Sequence, residues 1–339
     1  MSANPPLDPD ADLQKFVKRL EGLQLASAEC FLCANRITDG HYTQEHVIPA
    51  WAQRRHNLWN QRLVLLNGTE IPYRQLTVPC CDDCNRNRLR AIEDSLSQTV
   101  EHGHKAVKAL PQERLFLWLS KIFFGILYKE LFLLLDRADP SGPAIITADF
   151  LRRYNTQRFF LQQAREKVRL VDFSPGSVFV FPMQALPRPE QEWDLHDNVD
   201  TQFIGCRVGK VALLASLGDG GAQRYFEDEY ADMQDVPLHP LQFRELCARF
   251  SYRSSLATRT PKYITIQGSP HYVHQMPLGG FSMKPLFEEG NPGAYAAFLH
   301  HYTQVPVEYL FDPPAKVRTW LRTASGEPSF MDVAQYPQW

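Results

Sequence analysis

The segment CDDCN, residues 81–85, repeats a spacing that the chain has already used at CFLC, residues 30–33. Two converging Cys-x-x-Cys pairs can supply four thiolates to one tetrahedral zinc ion, and the binding energy then stabilises a small module. The N-terminus lacks a basic region followed by an apolar one, so this spacing favours metal over disulfides. We therefore predict a structural zinc site, and its ligands are Cys30, Cys33, Cys81 and Cys84.

A neighbouring cysteine leaves the ligand set open. Cys80 could replace Cys81, with three residues instead of two before Cys84, although we expect Cys81 to be the ligand. Cys206 and Cys247 lie in apolar contexts that are typical of buried thiols. Because cysteines that bind metal are typical of reducing compartments, we expect a cytoplasmic protein.

The length and composition of the chain indicate an ordinary globular protein. It has 339 residues, of which 44% are hydrophobic and 22% are charged, and this length suggests two or three domains. The formal net charge is -2. Any surface that binds nucleic acid must therefore be locally basic, since the overall charge does not favour such a partner.

Residues 115–135 form an apolar run that is long enough to be mistaken for a membrane span. Lys121, Lys129 and Glu130 lie inside the run, and each would be costly at the centre of a bilayer. We therefore expect a buried core helix and no membrane partner, with a membrane or membrane-surface helix as the alternative.

Periodicity and turn signals predict an α+β protein. Helical patterns cover residues 12–24, 85–104, 112–137 and 149–170, while residues 62–78 predict a β-hairpin whose arms are RLVLLN and QLTV. After residue 174 the runs SVFVF, TQFIGCRV, KVALLASL and KYITIQ are rich in strand-forming residues. Two short helices, PLQFRELCARF and residues 294–301, are also predicted there. The Pro/Gly-rich segment ADPSGP favours a domain boundary.

The segment EHVIPAW, residues 45–51, lies between the two cysteine pairs. The order CFLC, EHVIPAW, hairpin, CDDCN and helix resembles the HNH (ββα-metal) endonuclease family, in the branch that two Cys-x-x-Cys knuckles staple with zinc. The resemblance covers about residues 30–94. It implies a zinc-stapled HNH module at residues 1–110. A helical connector at residues 111–172 and an α+β domain of targeting or regulatory role at residues 173–339 would follow.

The resemblance also implies a catalytic site. His46 would be the general base, since an imidazole can take a proton from water near neutral pH. Glu45 and Asn85 would hold a catalytic Mg²⁺ or Mn²⁺, because oxygen ligands suit hard cations and a divalent ion can stabilise the charge that develops on phosphate. The alternatives are a core histidine, or a degenerate module that has kept zinc and lost cleavage.

Two further residues are weaker candidates for the site. Glu93 would complete the set of ligands around the catalytic metal. On an ideal α-helix, however, it lies about 80° round from Asn85. The alternative interpretation is that Glu93 is an ordinary solvated residue of the helix. Gln75 stands near the place where the family has an asparagine that braces the catalytic loop, with Asn67 further upstream. The brace is therefore left open.

Local charge agrees with a nucleic-acid partner. Residues 54–90 contain seven arginines against three acidic residues. We expect contacts with phosphate from Arg54, Arg55, Arg86 and Arg90, although an ordinary solvated face would have the same composition. DNA is favoured over RNA by the resemblance alone.

Two hypotheses follow from these patterns. The first is a metal-dependent HNH endonuclease that hydrolyses DNA, by nicking or by double-strand cleavage, in a bacterial restriction or anti-phage system. A homodimer or partner proteins of that system would go with it, and a role in repair or in a mobile element is the other context. The second is a non-catalytic zinc module that binds nucleic acid or protein, with the function located in the C-terminal domain.

Overall fold

A computed structural model describes residues 29–37, 41–147, 150–151, 153–171, 175–278 and 284–335. The helix predicted at residues 12–24 lies outside these residues. The strands are β1 (Tyr42–His46), β2 (Arg62–Val64), β3 (Glu70–Pro72), β4 (Thr77–Cys81), β5 (Val168–Val171), β6 (Ser177–Pro182), β7 (Trp193–Asn198), β8 (Phe203–Val208), β9 (Val211–Ser216), β10 (Tyr263–Ile266), β11 (His271–Gln275), β12 (Phe311–Asp312) and β13 (Lys316–Val317).

The α-helices are α1 (Ala50–Arg55), α2 (Arg90–Thr99), α3 (His104–Lys108), α4 (Gln112–Glu130), α5 (Asn155–Leu161), α6 (Pro240–Ser255) and α7 (Pro292–Thr303). A π-helical segment, Asp83–Leu89, runs directly into α2. The mixture of helices and strands agrees with the predicted α+β class.

The chain forms two compact units. Among the described residues, the first unit comprises residues 29–97, 117–171 and 264–274, and the second comprises residues 98–116, 175–263 and 275–335. This grouping differs from the predicted division into residues 1–110, 111–172 and 173–339. Most of the predicted connector belongs to the same unit as the cysteine pairs, because its apolar helix supplies buried side chains to that unit.

The frame of the first unit consists of two antiparallel strands followed by a helix. β1 pairs with β4, so that Tyr42 lies opposite Cys81 and His46 opposite Thr77. The π-helical segment and α2 follow β4 directly, and α2 buries Ile92 and Leu96 on one face.

The hairpin prediction was wrong in its second arm. The Asn67-Gly68 signal does mark a turn, and Gly68 adopts a positive φ of 75°, which glycine tolerates. β2 nevertheless pairs with β3, whereas Thr77 and Val78 of the predicted second arm pair with β1. The hairpin is therefore an insertion between the two strands of the frame.

The apolar run at residues 115–135 is a core helix, as predicted, although α4 ends at Glu130 and not at residue 137. Its residues from Leu115 to Tyr128 are all buried, including the charged Lys121. No helix in the described part of the chain has the length and apolar character that crossing a membrane requires.

The predicted helix at residues 149–170 is largely replaced by shorter elements; residues 148–149 and 152 are outside the described residues. α5 is followed by a 3-10 turn, Gln162–Arg165, and Glu166 then takes a left-handed φ of 56° that ends the helix. Val168 and Leu170 are buried in alternation, which is the period of a strand. β5 pairs in parallel with β11, and β10 lies on the other side of β11.

The second unit is built on an antiparallel sheet of order β6-β9-β8-β7. The runs predicted as strands after residue 174 form β6, β8, β9 and β10, and the two predicted short helices are α6 and α7. Phe179 and Phe203 of the sheet lie in one core with Phe250 of α6 and Leu299 of α7. Every residue of β6, β8 and β9 is buried, which explains why these strands are mostly apolar and do not alternate with polar residues.

Candidate metal centre and histidine site

The two Cys-x-x-Cys pairs converge in the first unit. The Sγ atoms of Cys30, Cys33, Cys81 and Cys84 all lie within 4.8 Å of one another. The Cys33 and Cys81 sulfurs are 3.8 Å apart, which matches the edge of about 3.8 Å expected for a tetrahedron with zinc–sulfur bonds of about 2.3 Å. The four thiols therefore form a cluster that fits a zinc ion, with the members that we expected.

Cys80 lies beside this cluster. It is fully buried, and its sulfur is 3.8 Å from that of Cys30. The hydrogen bond with Cys30, together with burial, raises the pKa of the Cys80 thiol, while hydrogen bonds with Cys33, Cys80 and Cys84 hold the pKa of Cys30 well below its usual range. Cys80 thus lies beside the cluster, outside the set of four sulfurs that are all within 4.8 Å of one another.

Hydrogen bonds hold the first knuckle in place. The Phe31 amide donates to the Pro79 carbonyl at 2.9 Å, and the Ala34 amide donates to the Cys30 carbonyl at 2.8 Å. The buried side chain of Gln162 donates from Nε2 to the Leu32 carbonyl at 2.8 Å. The knuckle is therefore attached both to β4 and to the segment that leads into β5.

Glu45 and His46 are adjacent on β1, so their side chains leave opposite faces of the strand. Glu45 is buried, whereas His46 is half-buried and packs on Trp59, with 5.6 Å between ring centroids. Burial lowers the pKa of His46, and the charge of Lys121 lowers it further. The imidazole is therefore neutral at pH 7, and no hydrogen bond to either ring nitrogen is found among the described residues.

The Glu45 carboxylate forms an ion pair with a lysine of α4. The Lys121 ammonium lies 2.5 Å from Glu45 Oε1 and 2.7 Å from Glu93 Oε1. It also donates to the backbone carbonyls of His46 at 2.6 Å and Val47 at 3.2 Å. Burial alone would lower the pKa of Lys121, but the Glu45 and Glu93 carboxylates outweigh it and raise this pKa, so the amine stays charged.

Glu93 is part of this cluster, and it is neither a solvated helix residue nor off the face of the site. Its side chain is 18% exposed, and burial raises its pKa to about 7 against the opposing charge of Lys121. Glu93 reaches this cluster through Lys121, and the helix that carries it is preceded by the π-helical segment Asp83–Leu89.

Asn85 lies elsewhere along β1. Its Nδ2 donates to Thr43 Oγ1 at 2.9 Å and to the Gln44 carbonyl at 3.5 Å. No hydrogen bond joins Asn85 to Glu45 among the described residues, and the Lys121 ammonium is 2.5 Å from the Glu45 carboxylate. The carboxylate that was expected to hold Mg²⁺ or Mn²⁺ is thus paired with an ammonium ion.

The loop after His46 is anchored by its own apolar residues and by Gln53, which the sequence did not single out. Val47 and Ile48 are fully buried, and Gln53 of α1 donates from Nε2 to the Ile48 carbonyl at 2.8 Å. Gln75 instead lines a cavity of about 330 Å³ beside the β2–β3 hairpin. In the same hairpin, Asn67 donates to the Leu134 and Leu135 carbonyls.

The four arginines expected to contact phosphate have different surroundings. Arg54 is exposed and has no ion pair among the described residues. Arg55 packs on the Trp51 ring at 5.0 Å and donates to the Ser97 carbonyl. Arg86 and Arg90 pair with Asp82 and Asp94 at 2.8 and 3.3 Å, but each is 70% exposed. Such exposed pairs are weak and can exchange for phosphate.

Comparison with known proteins adds no assignment. No family model matches the chain, and no curated protein or solved structure is similar to it.

Proposed function

We propose that the protein is an HNH-type endonuclease that hydrolyses phosphodiester bonds in DNA. The observation that carries this proposal is the β1–β4–helix frame with the cysteine cluster at one end and a neutral, half-buried His46 at the end of β1. Trp59, 41% exposed, lies against the His46 ring, and the exposed Arg54 is close enough for its charge to act on that ring.

In the proposed reaction His46 accepts a proton from water, and the water oxygen attacks phosphorus while the bond to the 3′ oxygen breaks and that oxygen takes a proton from solvent. The products are a 5′ phosphate and a 3′ hydroxyl. Arg54 supplies positive charge to the phosphate. Dependence on Mg²⁺ or Mn²⁺ is expected from the family resemblance alone, because Glu45 is bonded to Lys121 in this arrangement. The resemblance is also the ground for a role in restriction or anti-phage defence.

The test is conversion of supercoiled plasmid to nicked and linear forms by zinc-loaded protein, with and without added Mg²⁺ or Mn²⁺. We expect His46→Ala to lower the rate by at least about 100-fold, the lower range for loss of a general base. His102→Ala is the matched control, because His102 is an exposed histidine of the same chain and is expected to leave the rate unchanged.

Equal cleavage by the wild type and His46→Ala would assign the activity to another site or to a contaminant and would overturn the role of His46. No cleavage by the wild type under any of these conditions would favour the second candidate.

The second candidate is a zinc-stapled module that binds DNA without cutting it. Its specific support is the buried Lys121, which already neutralises the carboxylates that catalysis would use. This candidate predicts DNA binding that weakens with salt and with loss of Arg54, and no cleavage in any divalent cation.

A further inference from the structure

The strongest unexplained feature of the first unit is a charged lysine in the middle of its most apolar helix. The Lys121 side chain is 2% exposed, and the helix around it is otherwise almost entirely apolar from Leu115 to Tyr128. Burying an ammonium ion is costly unless each of its protons finds an acceptor and its charge finds a partner. The position therefore has to be accounted for by what surrounds the ammonium.

The surroundings of Lys121 are those of a cation site. Four oxygen atoms lie 2.5–3.2 Å from Nζ: two carboxylate oxygens, from Glu45 and Glu93, and the backbone oxygens of His46 and Val47. Carboxylate and carbonyl oxygens are also the ligands that hard divalent cations prefer. An ammonium group has three N–H donors. Here they donate to a set of oxygen atoms of the kind that would bind such a cation.

The burial of the two carboxylates sets what this site can do. The side chains of Glu45 and Glu93 are 8% and 18% exposed, so a phosphate of a DNA backbone could not reach a cation held between them. The cation in this position therefore acts on the protein itself. It neutralises two buried carboxylates and fixes the backbone on either side of the peptide bond that follows His46.

We propose that Lys121 is a built-in replacement for a divalent cation: its ammonium fills the Glu45–Glu93 site, excludes Mg²⁺ and Mn²⁺ from it, and positions His46. The replacement is a statement about which cation the site holds, so it stands or falls separately from DNA cleavage. Lys121 is accordingly a positioning residue, because it contacts the backbone of His46 and not its ring.

The test is a titration of zinc-loaded protein with Mn²⁺. Binding is measured as the decrease of the free Mn²⁺ signal in electron paramagnetic resonance. We expect no Mn²⁺ bound at Glu45 in the wild type, and about one additional Mn²⁺ per chain in Lys121→Met, where the two carboxylates lose their ammonium partner. The double variant Lys121→Met/Glu93→Gln should lose that site again. Lys129→Met is the matched control, since Lys129 is on the same helix, is partly buried, and has a pKa lowered by burial alone.

Thermal unfolding gives a second readout. Mn²⁺ should raise the Tm of Lys121→Met and leave the Tm of Lys129→Met and of the wild type unchanged. A wild type that binds one Mn²⁺, with loss of that binding in Glu45→Gln, would overturn the proposal, and so would a folded Lys121→Met that binds none. If Lys121→Met does not fold, the wild-type titration decides alone. Nicking assays enter neither measurement, so failure of the nuclease proposal remains distinguishable.

Discussion

Two adjacent cysteines with opposite roles show how much one residue position decides in this site. Cys81 belongs to the group of four sulfurs that lie within 4.8 Å of one another, while the sulfur of Cys80 lies 3.8 Å from that of Cys30 alone. Successive side chains of a strand leave opposite faces, so the register of β4 determines which thiol completes the cluster. Thr43 lies opposite Cys80, and Tyr42 lies opposite Cys81.

We predict that Cys81→Ser loses zinc and Cys80→Ser keeps it. Replacing one of four thiolates removes a ligand, whereas replacing Cys80 removes only a neighbouring thiol. Zinc released on denaturation, measured with a chromogenic chelator, should fall from about one ion per chain to a small fraction in Cys81→Ser. The reverse result would make Cys80 the ligand, and equal loss in both would assign them a shared role.

The candidate site was predictable where its residues are close in sequence. Cys30 and Cys33 are three positions apart, and so are Cys81 and Cys84. Each pair of zinc ligands can therefore be recognised within a four-residue segment of the sequence. Lys121 had no such signal. It acts on Glu45 across 76 positions of sequence, and only the packing of α4 brings the two together. Its charge inside an apolar run indicated that the helix was not a membrane span, but not what it would bond.

At the scale of elements, the contact between α4 and the loop after β1 controls the position of His46. Gly125, one helical turn after Lys121, faces Val47, and a Cβ added there would lie 2.9 and 3.0 Å from the two Val47 methyl carbons. Val47 is fully buried. The glycine therefore allows the helix to approach the loop closely enough for the Lys121 ammonium to reach the His46 carbonyl at 2.6 Å.

We predict that Gly125→Ala destabilises the protein, although alanine is the better helix former by about 1 kcal/mol. Overpacking of a buried contact costs about 1–3 kcal/mol, so a net loss of about 1 kcal/mol in the free energy of unfolding is expected. The measurement is the free energy of unfolding of Gly125→Ala, Val47→Ala and the double variant, obtained by chemical denaturation. The double variant should lose less free energy of unfolding than the two single variants lose together. If the losses add exactly, the two residues are not in contact in this way.

The element boundaries show where local patterns stop being informative. The Asn67-Gly68 turn was predictable because its residues need a positive φ or local hydrogen bonds. The partner of β4 was not, since the residue types of Thr77 and Val78 suit any neighbouring strand, and β1 is separated from them by the β2–β3 hairpin. The 3-10 turn after α5 ends at a left-handed Glu166, for which the sequence carries no glycine signal.

At the scale of the whole molecule, one short segment belongs to a unit whose other residues lie far from it in sequence. Residues 264–274 lie in the first unit, where β11 pairs in parallel with β5. β5 follows the turn that contains Gln162, and Gln162 donates to the Leu32 carbonyl inside the first cysteine knuckle. A hydrogen-bonded path thus runs from the cysteine cluster to β11, through residues that are separated by much of the second unit in sequence.

This connection predicts how the chain responds to loss of zinc. Removal of the ion by a chelator takes folding energy from the unit that holds the cysteines, so backbone amides of that unit should exchange faster with deuterated solvent. Mass spectrometry of peptides should show the increase at residues 29–37 and 77–97, and also at residues 264–274. The core strands at residues 177–182 and 203–216, which contain none of the cluster cysteines, should keep their protection.

The decisive comparison is at residues 264–274. Their exchange rate should increase together with that of the two cysteine pairs, while the exchange rate of the residues next to them in sequence should not. Exchange at residues 264–274 that instead followed residues 240–255 would contradict the assignment of β11 to the first unit.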